Sequence, residues 1–378
     1  MKAANFAAFI VKIRQRAGDG LHSLSESTGN LTGIRDESWN NDYDKKVLMN
    51  CAHCAERKGK GLRGSNNQCV YSRNDKRGTG MIRTWFLATR PWSFTAAAVP
   101  IALGAILAWS EGSFSLPLFL LTLVGGIAVQ AGTNLINTYG DFITGVDTVD
   151  SAKTCSQLVE GIIEPGDMRL AGILTFSFAG IIGLVLTYLC GWPVLAFGLL
   201  GIIAGYCYTA GFCPYKYMGL GSILVFFLMG PLMVWPAYYI QTGQLSWLPF
   251  WASLPVGFLV AGILHSNDIR DMREDRRAGI NTLALFLGVK RSLALYYALY
   301  TAAYISLIGL ITLAIVPWTA ALPIVLVPAI MKLLILANDA VKGSENKLQL
   351  LEPVAAKLHL QFGLLLLVGL ALHPFLLR

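Results

Sequence analysis

The chain has 378 residues, 54% of them hydrophobic and only 14% charged, with a formal net charge of +8. Soluble globular domains carry about a quarter charged residues, so the composition excludes one and indicates an integral membrane protein. Strand-sized alternating segments are missing from the sequence, which argues against a membrane barrel.

Residues 1–83 differ in kind from the rest. They are polar and rich in Lys, Arg, Asn, Ser and Gly, cannot bury a core of their own, and are expected to form a disordered basic tail. Met1 to Ala17 holds Lys2, Lys12, Arg14 and Arg16 and no acid. That pattern suits an organelle-targeting presequence or a basic tail beside the membrane; its short, interrupted apolar run does not suit a secretory signal. Cys51, His53, Cys54 and Cys69 offer a C-x-H-C with one distant Cys. A structural zinc site needs four ligands, usually in two tight pairs, so a reduced, unstructured segment is the simpler expectation. Cys155, Cys190, Cys207 and Cys213 fall in or beside apolar runs without paired spacing and fit no disulfide framework.

From residue 84 to 378 the chain reads as an intramembrane domain of all-α class. Apolar runs long enough to span a bilayer lie at about 92–110, 116–136, 169–188, 191–210, 220–240, 247–265, 291–314, 316–337 and 358–377. Nine transmembrane helices are therefore expected, as two pseudo-repeated bundles around a central cavity. With that count the tail and the loops after spans two, four, six and eight share one face. Lys153, Lys216, Arg270, Arg273, Arg276, Arg277, Lys290, Arg291, Lys342 and Lys347 all fall there, while the opposite loops around Glu111, Gly191, Gln241 to Gln244 and Ile315 hold no Lys or Arg. The positive-inside rule then places this face toward the cytosol, in an endoplasmic reticulum or Golgi membrane, or toward the matrix if the membrane is the mitochondrial inner one. The positive charge is a topological signal and carries no implication of nucleic-acid binding.

Two stretches on that face concentrate acids. The first, "NTYGDFITGVD", spaces Asn137, Asp141 and Asp147, with Asn134 a turn earlier and Asp150 just after; the second, "HSNDIRDMREDRRAG", places Asn267, Asp271 and Asp275 four residues apart. On a helix that spacing stacks side chains about 6 Å apart on one face, where like charges repel and need compensation. Pairing with Arg270, Arg273, Arg276 and Arg277 at a solvated helix end would be the plainer account. Against it stand the cost of carboxylates at a bilayer edge and the recurrence of the pattern after spans two and six, as related halves would have it. The oxygen-only donor set also selects a hard cation: Mg²⁺ binds one or two carboxylates and leaves its other positions to water and phosphate oxygens. A Mg²⁺-diphosphate site at a lipid-facing cavity follows, and a diphosphate on a lipid-soluble group suggests an isoprenoid. Mg²⁺ and basic side chains would neutralise the departing diphosphate, and aromatic faces such as Tyr208 would stabilise the allylic cation.

These stretches, together with "LATRPWSFTAAAVPIALG" (88–104) and "YTAGFCPYKYMGLG" (208–221), resemble the UbiA superfamily of intramembrane prenyltransferases, and within it the menaquinone-forming members of animals and bacteria. The resemblance covers roughly residues 84–378. It implies Mg²⁺-dependent transfer of a polyprenyl group, geranylgeranyl or similar, to an aromatic quinone-type acceptor, with a naphthoquinone first and 4-hydroxybenzoate, homogentisate or a porphyrin as alternatives. It further implies that Asp141 and Asp271 are catalytic and that Asn137, Asp141, Asp147, Asn267, Asp271 and Asp275 hold Mg²⁺ and diphosphate. Arg90, Lys153, Lys216 and Arg270 would contact phosphate, and Tyr208 would border the prenyl tail. Plainer roles exist for three: Arg90 with Trp92 as an interface anchor, Lys216 as a snorkelling side chain, Tyr208 as helix packing.

The chain departs from the family pattern at 151–157, "SAKTCSQ", where further acids and an Arg are usual. Lys153 offers the charge without a planar fork. Ser222 likewise stands where an acid often follows Gly-Leu-Gly. A lipid-sensing protein with slow catalysis and a secondary transporter are the readings outside enzymology; transporter acids lie at the bilayer midplane on broken helices, whereas these lie at helix ends.

Overall fold

The computed structural model describes residues 79–148, 156–343 and 345–376. The tail up to residue 78 with Cys51, His53, Cys54 and Cys69, and the loop residues Asp150, Lys153 and Cys155, lie outside the described residues. Among those described, all regular structure is helical. A short helix α1 (Thr79–Ala88) leads through a 3-10 turn (Pro91–Phe94) into α2 (Thr95–Ser110), followed by α3 (Leu116–Ile143), α4 (Pro165–Cys190) and α5 (Trp192–Tyr206). After a 3-10 turn at Tyr215–Met218 come α6 (Gly221–Met229), α7 (Pro231–Thr242), α8 (Leu248–Arg270), α9 (Met272–Ala278) and α10 (Leu283–Thr312). The chain ends with a 3-10 stretch (Trp318–Leu326), α11 (Val327–Val341) and α12 (Glu345–Leu376).

Eight stretches are long and apolar enough to cross a membrane, including Pro91–Ser110, the joined α6 and α7 at Gly221–Thr242, and Trp318–Val341. This makes the chain a multi-pass membrane protein. The run at 191–210, expected as the fourth of nine spans, instead yields the shorter apolar helix α5. Its 15 residues reach about 22 Å at 1.5 Å per residue, against a hydrocarbon core of about 30 Å. The cause is local: the helix starts at Trp192 as expected, but the chain unwinds after Tyr206 into turns that include Gly211 at φ 75°, with Pro214 beyond them.

Other boundaries shift for reasons that bear on function. Helix α3 runs past residue 136 to Ile143 because its polar residues find partners inside the protein, so Asn137 and Asp141 are helical. Helix α8 stops at Arg270, and α9 resumes two residues later. The backbone bond from the Asp271 N–H to the Asn267 carbonyl (2.9 Å) and that from Asp275 to Asp271 (2.9 Å) carry the four-residue stripe across the break.

Each acid-bearing helix packs along the long helix that follows it, α3 against α4 and α8 against α10, while α2 lies on α7 and α12 on both α8 and α2. In lipid, helices gain little from apolarity and associate by close packing of small residues. Gly104 shows how close α2 and α7 come: a Cβ there would sit 2.5 Å from the Val234 carbonyl oxygen. The largest core cluster joins Leu103, Val234, Leu259, Tyr296, Tyr300 and Phe362. A small separate cluster of Ala88, Leu135, Leu158, Ile163 and Met168 pins α1 and the loop before α4 against α3. Large apolar side chains such as Leu174, Phe178, Ile305 and Val325 are exposed, as lipid contact requires.

Candidate active site

One face of the apolar helix α3 carries Gln130, Asn134, Asn137, Thr138 and Asp141, all buried. Burial of polar side chains costs free energy unless each is hydrogen-bonded, and here the turn before α2 supplies partners. Gln130 and Asn134 donate to the Ser93 hydroxyl oxygen (3.3 and 2.8 Å), and Asn134 also to the Thr89 carbonyl (2.7 Å). Ser93 in turn donates its N–H (2.9 Å) and hydroxyl (2.8 Å) to the carbonyl of Arg90. Arg90 adopts a left-handed backbone, φ 53° and ψ 63°, which costs a non-glycine residue roughly 1–2 kcal/mol. In that conformation its guanidinium donates to Asn137 Oδ1 (3.0 Å) and Thr138 Oγ1 (3.2 Å). Backbone strain is thus tied to placing this one cation over α3.

Asp141 is the most heavily bonded acid. Asn137 Nδ2 donates to Oδ2 (2.7 Å), Tyr217 OH to Oδ1 (2.8 Å), and Lys216 Nζ to both oxygens (2.9 and 2.8 Å). After α3, Gly145 at φ 77° turns the chain back so that the amides of Val146 and Asp147 donate to the Asp141 carbonyl (2.9 and 3.1 Å). Only a residue tolerant of positive φ makes that turn without strain, and it returns Asp147 beside Asp141.

Lys216 comes from the segment after α5, which folds back on itself: Lys216 N–H donates to the Tyr208 carbonyl (3.0 Å) and Tyr215 N–H to that of Cys207 (3.1 Å). The Tyr208 and Tyr215 rings meet edge-on at 5.5 Å, and Lys216 Nζ lies 5.8 Å from the Tyr208 ring centre and 5.7 Å from that of Tyr217. Burial, the largest single influence, would depress the Lys216 ammonium, but Asp141, Tyr217 and Asp275 together outweigh it and push its pKa above the ordinary lysine value.

In the second stretch Arg270 binds its neighbour Asp271 through Nε and Nη2 (2.7 Å each) and reaches Glu352 of α12 through Nη1. Burial would raise the Asp271 pKa, yet the Arg270 charge holds it below the usual carboxylate value. Asp275 accepts from Thr282 Oγ1 (3.0 Å) on Oδ2, while its Oδ1 and the Oδ1 of Asn267 are buried with no hydrogen-bond partner.

The two stretches meet. Arg277 Nη2 donates to Thr148 Oγ1 (3.1 Å) and approaches the Val146 carbonyl (3.5 Å), joining the end of the second to the end of the first. Burial, then the Asp141 charge, raises the Asp147 pKa to about 6, with Arg90 and Lys216 opposing and Asp271 adding to the rise. Burial likewise raises Asp275 to about 7; Lys216 opposes this, and the charges of Asp271 and Asp141 reinforce it. Acids of both stretches therefore lie in one another's field, with more carboxylate than the nearby cations neutralise. Among the described residues no three Asp, Glu, His or Cys side chains form a ready-made metal cage. Lys216 and Arg270 occupy the two central carboxylates instead. The all-oxygen donors, the surplus negative charge and the two orphaned oxygens still suit a hard cation that takes one or two carboxylates and completes its shell with phosphate and water.

A cavity of about 530 Å³ opens from this polar end. Arg90, Asn134, Asn137, Tyr208, Asn267 and Glu352 line its mouth, and apolar residues of α3, α4, α5, α7 and α8 form its walls. Of the residues singled out in the sequence, Arg90, Asn137, Asp141, Asp147, Tyr208, Lys216, Asn267, Arg270, Asp271 and Asp275 are gathered here; Lys153 lies outside the described residues. Sequence reasoning missed Thr138, Tyr217, Asp268 and Glu352. Tyr217 and Asp268 adjoin residues that were chosen and were visible as neighbours, whereas nothing around Glu352 marks it. Asp268 is buried beside Ser222 and feels the charges of Lys216, Asp275 and Asp271, so an acid in place of Ser222 would set two carboxylates together.

The sequence matches the model of the UbiA prenyltransferase family over residues 97–351. UbiA prenyltransferase domain-containing protein 1 of Mus musculus is 35% identical over 295 residues, 77% of this chain and 84% of that protein. The 1,4-dihydroxy-2-naphthoate octaprenyltransferase of Bacillus subtilis (strain 168) is 34% identical over 293 residues, 76% of this chain and 92% of that enzyme. In fold, the chain is similar to the apo structure of a UbiA homolog from Aeropyrum pernix K1, with a TM-score of 0.57 at 18% identity over 74% of this chain and 98% of that one. It is also similar to a UbiA homolog from Archaeoglobus fulgidus bound to DMAPP and Mg²⁺, with a TM-score of 0.50 at 17% identity over 75% and 99% of the two chains.

Proposed function

This chain belongs to the UbiA prenyltransferase family and is a membrane-bound prenyltransferase, and from that premise we propose that it transfers a polyprenyl group from an allylic diphosphate, geranylgeranyl or similar, to a quinone-type aromatic acceptor, a naphthoquinone. One observation carries the proposal. Asp141 and Asp147 from one stretch and Asp271 and Asp275 from the other share a single electrostatic field, and Asn137 and Asn267 of the same two stretches line an apolar cavity. The naphthoate substrate class of the Bacillus relative and the Mg²⁺ and DMAPP of the Archaeoglobus homolog support the choice of acceptor and donor.

In this scheme Asn137, Asp141, Asp147, Asn267, Asp271 and Asp275 hold Mg²⁺, whose chemistry when bound is to neutralise the charge that gathers on a departing diphosphate. Lys216 and Arg270, now spent on Asp141 and Asp271, donate instead to phosphate oxygens, together with Arg90 and Lys153. The face of Tyr208 borders the reacting end of the prenyl group, where cation-π attraction is worth about 2 kcal/mol in a desolvated site. Apolar walls keep water from the allylic centre, so that the acceptor, electron-rich in its hydroquinone form, is the nucleophile within reach: its ring carbon bonds the allylic carbon as the C–O bond to diphosphate breaks, and the ring proton it gives up leaves with the diphosphate. No protein nucleophile is required.

The same proposal includes nine crossings in two related bundles. Lys216, just after α5, bonds Asp141 at the end of α3, which requires that α4 leaves this face and α5 returns to it despite its shortness. The side-by-side pairs α3 with α4 and α8 with α10 support the repeat. The site then faces the cytosol, or the matrix in a mitochondrial membrane, and residues 84–378 form the catalytic domain.

The test is prenyl transfer in membranes given Mg²⁺ and geranylgeranyl diphosphate, with each acceptor supplied separately and the product identified by mass spectrometry. Asp141→Ala and Asp271→Ala should each abolish product. Full activity in either would reject the mechanism, and a prenylated 4-hydroxybenzoate in place of a naphthoquinone would change the acceptor.

A further inference from the structure

Arg270 and Asp271 are chain neighbours, but the third member of their group is remote: Glu352 lies in the second turn of α12, 82 residues on. Its carboxylate is buried, with 7% of the residue exposed, and it lines the mouth of the cavity beside Arg90, Asn137 and Asn267. A guanidinium has five N–H donors in a rigid plane. Three are used, two on Asp271 and one on Glu352.

We propose that Glu352 is a positioning residue that fixes the plane of Arg270 from a second helix, so that Arg270 stays in place to meet diphosphate when Asp271 turns to the metal. The inference rests on the function proposed above and deepens it. The two central acids differ in this respect. Among the described residues Lys216 pairs with one carboxylate, Asp141, on a flexible stem, so an incoming anion can draw it away by rotation about that stem. Arg270 is tethered at both edges of its fork. Losing Asp271 to a cation still leaves it anchored through Nη1, with its other N–H groups available to phosphate oxygens. Without Glu352 the guanidinium would be held by Asp271 alone, and the two would compete with cation and diphosphate as one closed pair. A plain staple between α8 and α12 is the rival account; it predicts a loss of stability with no change in ligand binding.

The experiment uses the full chain in detergent and measures binding of the unreactive analogue geranylgeranyl thiodiphosphate by thermal shift at graded Mg²⁺, alongside KM and kcat for transfer. Removing a charge-assisted bond that orients Arg270 should weaken analogue binding about tenfold or more in Glu352→Gln and raise the Mg²⁺ needed for half-saturation. The ligand-free melting temperature should change little, and Glu352→Asp, which keeps the charge on a shorter stem, should bind the analogue more tightly than Glu352→Gln but more weakly than wild type. Should Glu352→Gln fail to fold, Glu352→Asp alone decides, with weaker binding and a higher Mg²⁺ requirement expected from the displaced anchor. Analogue binding in the folded variants equal to wild type, or a fall in melting temperature as their only change, overturns the proposal. Absence of Mg²⁺-dependent analogue binding by the wild-type chain would instead overturn the function itself.

Discussion

Lys216 Nζ lies 2.9 and 2.8 Å from the two carboxylate oxygens of Asp141, a contact between residues 75 positions apart that joins the end of α3 to the segment after α5. The ammonium stands where the site chemistry calls for a cation, and it shares Asp141 with Tyr217 and Asn137.

Lys216→Met leaves the buried Asp141 carboxylate without its counter-charge. Breaking a buried pair from one side costs on the order of 3 kcal/mol, so the variant should melt several degrees lower in detergent and lose at least about a hundredfold in transfer rate. Lys216→Arg should keep most of the stability while recovering little of the rate, because a planar fork cannot follow the same path as a point charge. Thermal unfolding and a prenyl-transfer assay on the same preparations check both.

Arg90 separates strain from function. Arg90→Ala and Arg90→Gly both lose the bonds to Asn137 and Thr138 and should be equally impaired in transfer. They should differ in stability, since glycine adopts φ 53° without the roughly 1 kcal/mol or more that alanine incurs there. The glycine variant should therefore melt higher than the alanine variant; the reverse order would show that the backbone relaxes when the side chain is removed.

Acidity should weaken the metal site. Asp147 and Asp275 have folded-state pKa values raised to about 6 and about 7, and a carboxylate must lose its proton to ligate Mg²⁺. Apparent Mg²⁺ affinity should be flat above pH 8 and fall as pH drops through 7 and 6, approaching a factor of about ten per unit for each group that must deprotonate. For the metal-free protein the sign reverses. Raised carboxylate pKa values favour the folded state at low pH and lose that contribution as pH rises through them, so the melting temperature without Mg²⁺ should be higher at pH 5.5 than at pH 8. Mg²⁺ titrations and melting curves across that range decide it.

Gly198 of α5 lines the cavity, and a Cβ added there would meet no atom within 4 Å. Gly198→Phe should accordingly fold, gaining roughly 0.5 kcal/mol of helix propensity, while narrowing the cavity. Transfer from geranylgeranyl diphosphate should fall relative to transfer from a shorter prenyl diphosphate. Competition between the two donors, read by mass spectrometry, measures the shift.

The helical class and the acid-bearing helix ends were legible because their signals are local. Asn267, Asp271 and Asp275 repeat every four residues, and that periodicity survives the break at Asp271 since backbone bonds carry it across. Helix α5 was misjudged in length because hydropathy reads Cys207 to Ala210 as apolar and does not register that Gly211 and Pro214 unwind the chain. Glu352 was out of reach for a different reason. Its meaning depends on the last helix packing against α8, which no window of sequence around it records. The left-handed Arg90 is likewise set by Ser93 and by α3, residues up to 48 positions away.

Helix α5 also sets conditions on the lipid around it. It is about 22 Å long beside about 39 Å for α4 at 1.5 Å per residue, and Trp192 and Ile203 face outward from it. Acyl chains resting against α5 must shorten or splay, at a fraction of a kcal/mol per Å of mismatch. If α5 crosses the membrane as proposed, the bilayer would be dented beside one wall of the cavity, and a bulky apolar substrate entering from the lipid there would disturb the least ordered packing. Thick, sterol-rich membranes resist such a dent, and turnover in reconstituted vesicles should slow as the bilayer is made thicker.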